Sequence, residues 1–75
     1  MSKWVEVEVT MHRRFLVEVP HHASEFPEQW ADSEVFNNAL TSKEQKSVPS
    51  IETYVVDDLE YLEYIKQVAE VIKLV

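Results

Sequence analysis

Three histidines, seven Lys and Arg, and fourteen Asp and Glu are the groups in this 75-residue chain that could carry chemistry; there is no cysteine. His21 and His22 are adjacent. In an extended segment they point to opposite sides, whereas a zinc site wants ligands that converge, such as histidines four apart on a helix. His12 would reach them only if its loop folded back. Surface histidines after a strand-ending proline account for all three, and the expectation is no metal and no cofactor. Ser24 lies near His21 and His22 but has no glycine-elbow context, and helix capping explains it. Asp57 and Asp58 are side by side, as a helix start requires. The chain contains no glycine at all, so neither the P-loop nor the dinucleotide fingerprint can be present. A chain this short also has little room for a deep pocket. The expectation is no catalytic residue and no enzyme.

The remaining chemistry is recognition. Fourteen acids against seven bases give a formal charge of −7. Nucleic-acid binding normally needs a basic stripe, so direct contact with nucleic acid is not expected, and neither is binding to an anionic membrane. Arg13 and Arg14 stand out in such a field. They follow His12 in "WVEVEVTMHRRFLVEVPHH" and read as a turn between two strands. They would also serve a protein-binding module by clamping a carboxylate, or meet the acidic face of a second copy.

The elements that must position these groups follow from periodicity. Val5, Val7, Val9 and Met11 alternate with Trp4, Glu6, Glu8 and Thr10, and Phe15, Val17 and Val19 alternate with Arg14, Leu16 and Glu18. Both are half-buried strands, and Pro20 ends the second. A three-residue loop at His12-Arg13-Arg14 pairs Met11 with Phe15, Val9 with Val17 and Val7 with Val19. It also sets Glu8 opposite Glu18. A five-residue loop or one long bent strand keeps the same parity. In the middle segment, Ser24 or the Phe26-Pro27 step begins a helical turn. Asp32 or Ser33 caps a helix through "EVFNNAL", and "TSKEQKSVPS" reads as polar connector. "SIETYVVD" is a third strand, with Ile51, Thr53 and Val55 on one side. Asp57 then caps a helix whose stripe is Tyr61, Ile65, Val68, Ile72 and Val75, with Glu60, Glu63, Lys66, Gln67, Glu70 and Lys73 opposite.

The expected fold is α+β, a single domain over residues 1–75. It has a small antiparallel sheet of about three strands in the order β-β-α-β-α, with the helices packed on one face. The other face then shows Trp4, Glu6, Glu8, Arg14, Leu16 and Glu18, joined by Glu52, Tyr54 and Val56. Aromatics in an acidic field mark an interface, and Trp4, Arg13, Arg14, Leu16 and Tyr54 are the candidate partner-binding residues. Packing within the sheet is the competing account of the same aromatics. "MSKWVEVEV" has no continuous apolar core of a signal peptide, and no apolar run reaches the roughly 20 residues that span a bilayer. A soluble, cytoplasmic protein is therefore expected.

With its "VEVEVT…FLVEVP" strands and its close, "DDLEYLEYIKQVAEVIKLV", the chain resembles small accessory proteins encoded by bacteriophages. The resemblance covers most of the chain, carries no diagnostic motif and transfers no functional residue. It implies binding to a host protein and a change in that protein's activity. From the residues alone the expected function is a non-catalytic protein-interaction module that self-associates as a homodimer, since a domain of this size buries little surface alone. The alternative is a polyanion mimic that blocks a nucleic-acid-binding protein.

Overall fold

The computed structural model describes residues 3–9, 13–23, 25–47 and 50–73. Among the described residues four strands form one sheet: β1 (Lys3–Val9), β2 (Arg13–Val19), β3 (Ile51–Val55) and β4 (Glu70–Ile72), in the order β3-β1-β2-β4. Neighbours β1 and β2 run antiparallel, as do β1 and β3, while β2 and β4 run parallel. The architecture is α+β, as the sequence pattern indicates. The sheet is mixed and four-stranded, however, rather than antiparallel with about three strands.

Odd-numbered residues of β1 and β2 make the main core, because successive side chains on a strand alternate between faces. Val5, Val7, Phe15, Val17 and Val19 are at most 1% exposed. Helix α1 (Pro27–Glu34) covers them, continuing directly into a π-helical turn at Val35–Ala39. Pro27 stands at the helix start, where its missing N–H costs nothing. Asp32 and Ser33, expected as caps, lie inside this helix instead. Ala31, Val35 and Leu40 are its buried residues, with Trp30, Phe36 and Ala39 packed at the margin. Each fully buried Val, Leu or Phe stabilises by about 1.5–3 kcal/mol.

The register of β1 against β2 differs from the expected one. Val5 opposes Val17, Val7 opposes Phe15 and Glu8 opposes Arg14. Each β2 residue faces a β1 residue four positions earlier than expected, and Arg13 and Arg14 belong to β2 rather than to the turn. Parity is the same in both registers, so the core face is unchanged. The observed register replaces a Glu8–Glu18 repulsion by a Glu8–Arg14 attraction. Met11 and His12 lie outside the described residues, as do Ser24, Pro49 and Val75.

The segment read as connector contains a short helix, α2 (Ser42–Lys46). Thr41 and Glu44 form a reciprocal capping box at its start, a signal already present in the T-x-x-E spacing. Helix α3 (Leu59–Val68) is capped by Asp58 rather than Asp57; the Asp58 carboxylate accepts from the N–H groups of Glu60 and Tyr61 at 2.9 and 3.3 Å. The helix ends early. Ala69 is extended, and Glu70, Val71 and Ile72 pair with β2 as its outer neighbour. The β-branched Val71 and Ile72 suit that ladder.

The expected placement of both helices on one face is the main correction. Helix α3 lies on the opposite face of the sheet from α1, crossing from β3 at one edge to β4 at the other. There Leu62 and Ile65 bury Leu16, with Trp4, Val56, Ala69 and Val71 around them. Ile65, expected on the buried stripe, is buried, whereas Val68, also expected there, is 53% exposed at the last residue of the helix.

Candidate functional site

The α3 helix covers only part of its sheet face. Between its first turn, the end of β3 and the middle of β1 lies a cleft of about 520 Å³, lined by Glu6, Glu8, Arg14, Tyr54, Val55, Val56, Asp57, Asp58 and Tyr61. The alternation that buries Val5, Val7 and Val9 necessarily turns Glu6 and Glu8 to this side. Glu6 lies between Leu16 on β2 and Tyr54 on β3, on the central strand. It is the single buried charged residue among those described, at 4% exposure.

One hydrogen-bond donor and one more distant cation face that carboxylate. The Tyr61 hydroxyl donates to Glu6 Oε1 at 2.5 Å, and Arg14 Nε stands 4.0 Å from Glu6 Oε2. Arg14 also donates to Glu8 at 3.2 Å. The Asp58 cap positions Tyr61 by fixing the first turn of α3. The hydrogen bond to Glu6, then burial and the Glu6 charge, push the Tyr61 phenol up to about 12 from its ordinary value of 10. Tyr54 is half exposed at the rim, and its hydroxyl donates to Glu52 on the same strand. That bond raises the Tyr54 phenol too, helped by burial and by the charges of Glu52, Glu8 and Glu6.

The lining therefore sets four carboxylates, Glu6, Glu8, Asp57 and Asp58, against the one guanidinium of Arg14. Two phenols that stay protonated at neutral pH complete it. Such a surface attracts a cation and offers a ring face and hydroxyls beside it. Among the described residues, no group of three His, Asp or Glu is arranged to hold a metal ion. No helix among them is long and apolar enough to cross a membrane.

The candidate residues from the sequence separate in space. Arg14 and Tyr54 line the cleft together. Trp4 lies further along the same sheet face, on a smaller groove with Glu18, Lys66, Val71 and Lys73; the Lys66 ammonium stands 5.1 Å from its ring centroid. Leu16 is fully buried under α3, which removes it from any open surface. Arg13 points to the opposite face and is engaged within the molecule. It makes a two-pronged contact with Glu70 at 2.9 and 3.0 Å, meets both Glu44 oxygens at 2.7 Å, and lies 4.9 Å over the Phe15 ring. These bonds hold the carboxyls of Glu44 and Glu70 below their ordinary values, with the Arg13 hydrogen bond the largest cause for each.

Sequence reasoning placed Glu6 on the correct face but missed its pairing with Tyr61. Tyr61 sat on the predicted buried stripe, and only the helix crossing brings the two together. Helix capping alone accounts for Asp57 and Asp58 in the sequence, yet one cap suffices and both line the cleft. No family model matches this chain, and no curated protein or solved structure matches it either.

Proposed function

We propose that the protein is a non-catalytic protein-binding module whose acidic cleft receives a cationic side chain of its partner. The observation that carries this reading is the cleft itself: four carboxylates around one guanidinium, with Tyr54 exposed on the rim. Tyr54 and Arg14 are the contact residues retained from the sequence reading, joined by Asp57 and Glu52, and Trp4 extends the surface along the same face. Binding is favoured over catalysis because Tyr61, with its phenol held near 12, is a hydrogen-bond donor at neutral pH rather than a base. The polyanion-mimic reading fits less well. Glu8, Glu44 and Glu70 are paired internally with arginines and do not form a free acidic row.

The partner class that the phage resemblance implies is a host protein, and a cytoplasmic location suits that role. The test is a pull-down from lysate eluted by stepped salt, repeated with Tyr54→Ala and with Asp57→Lys. Circular dichroism establishes that both variants fold. One stoichiometric protein retained by the parent chain and lost with both variants is the expected result. Capture that is indifferent to Tyr54→Ala, and made up of nucleic-acid-binding proteins eluting at low salt, would replace the reading with the mimic.

A further inference from the structure

The sheet has two edges, and they are finished differently. β4 is three residues long and is followed by Lys73. β3 is five residues long, has no Lys or Pro within it, and carries Ile51, Thr53 and Val55 on one face. Short edge strands and lysines discourage pairing with another chain; β3 has neither protection.

The hydrogen-bond phase of β3 shows which groups it offers. The Val56 N–H donates to the Trp4 carbonyl at 2.9 Å. Hydrogen-bonded pairs in an antiparallel ladder recur every second residue. The register then assigns Glu6–Tyr54 and Glu8–Glu52 to the same class. Ile51, Thr53 and Val55 consequently aim their N–H and C=O groups away from β1. No strand lies beyond β3 among the described residues.

The charges along this edge select what can pair with it. Across the sheet, Arg14, Glu8 and Glu52 stand in one row, plus, minus, minus. The row is incomplete on the β3 side, where a Lys or Arg on a further strand would face Glu52. The next row ends in Tyr54 at the cleft rim. A second copy of this chain is the poorer occupant. Antiparallel pairing about Thr53 would bring two Glu28 carboxylates together across the dyad, since Glu28 accepts from the Thr53 hydroxyl at 3.4 Å. It would also join two chains of formal charge −7.

We propose that the β3 edge takes up an extended basic segment of a partner protein as a fifth strand, with backbone bonds to Ile51, Thr53 and Val55 and a Lys or Arg against Glu52. This inference rests on the protein-binding reading and gives it a mode, strand addition.

The test uses the full chain and three synthetic peptides. The first alternates Lys and Val, the second replaces each Lys by Glu, and the third is the Lys peptide N-methylated at alternate amides. Affinity is measured by calorimetry, and amide exchange is followed by NMR. The Lys peptide should bind and protect the amides of Ile51, Thr53 and Val55, and the Glu peptide should not bind. N-methylation should weaken binding tenfold or more. Glu52→Lys should weaken it roughly fivefold, as loss of a favourable cross-strand pair predicts. Equal binding of the N-methylated peptide, with shifts confined to the cleft, would overturn strand addition and leave the cleft reading standing. Absence of Lys-peptide binding would also overturn strand addition, while the pull-down with Tyr54→Ala decides the cleft reading separately. Protection of the three amides that rises with protein concentration and no peptide would assign the edge to a second copy and overturn the proposal.

Discussion

The two faces of the sheet are built from one alternating sequence, yet they do different work. On the α1 side Val5, Val7, Val9, Phe15, Val17 and Val19 form a continuous apolar layer that a helix and its π-helical extension close. On the α3 side the fully covered apolar centre is Leu16 with Leu62 and Ile65, and carboxylates surround it. The first face supplies stability. The second has a carboxylate where a core would have an aliphatic group, and it holds that carboxylate with Tyr61. An ion or hydrogen-bonded pair in such a place is seldom the most stabilising choice. Its presence beside an open cleft is what the proposed binding role requires.

The largest effect that would sharpen this contrast is a truncation in the apolar face. Phe15→Ala should cost about 3–5 kcal/mol in urea unfolding. A chain of this size has a total of only about 4–11 kcal/mol, so the variant should lose a large share of its stability. Comparable stability of Phe15→Ala and the parent would mean that the α1 face is not the main core.

Next comes the polar pair. Tyr61→Phe leaves the buried Glu6 carboxylate without its donor and should cost about 1–3 kcal/mol. The double variant Glu6→Leu/Tyr61→Phe should recover most of that loss, since both polar partners are gone together. A double variant that is no better than Tyr61→Phe would break the claim that the pair is retained for recognition.

A cap comes third. Thr41→Ala removes the acceptor for the Glu44 N–H and should cost about 1 kcal/mol. The loss should be seen as faster amide exchange in α2. Unchanged exchange there would show that Arg13, rather than the cap, holds this helix in place.

The pH responses of the two faces are the smallest effects and have opposite signs. Tyr61 has a folded value raised from 10 to about 12. Its contribution is complete below pH 10 and is lost as pH rises toward 12. In an ultraviolet titration of the parent chain, Glu6→Gln should move one phenol back toward its ordinary value. Glu44 and Glu70 have depressed folded values, so the Arg13 contacts stabilise at and above their ordinary value of 4.5 and fade as pH falls through the lower folded ones. Arg13→Ala should flatten the acid limb of the stability curve, and an acid limb unchanged by that substitution would contradict the assignment.

Much of this was legible in advance, and the limits have physical causes. The period of two in "WVEVEV" and "FLVEV" separates core from surface residues whatever the register, so parity survives an error in pairing. Register does not follow from parity, because loops differing by two residues bury the same set. The choice fell to Glu8 finding Arg14, which depends on two strands meeting in space. Glu70, Val71 and Ile72 satisfy a helical stripe as readily as a short strand. The vacant outer ladder of β2 decided between them, and no local signal reports a vacant ladder. Tyr54 and Arg14 were identified from their types on the outer face, whereas the clamp made by Arg13 joins residues from three elements and could not be foreseen.

The sequence by itself determined which residues are apolar together, that strands occupy the central parts of β1, β2 and β3, and that the chain is acidic without a glycine-built phosphate site. These are properties of period and composition, and they hold for any packing. Tertiary structure alone decided that α3 lies on the second face, that Glu6 is buried against Tyr61, and that β3 is left as the longer edge. Those outcomes depend on which surfaces remain uncovered after the first face has closed, a quantity that exists only once the chain is folded.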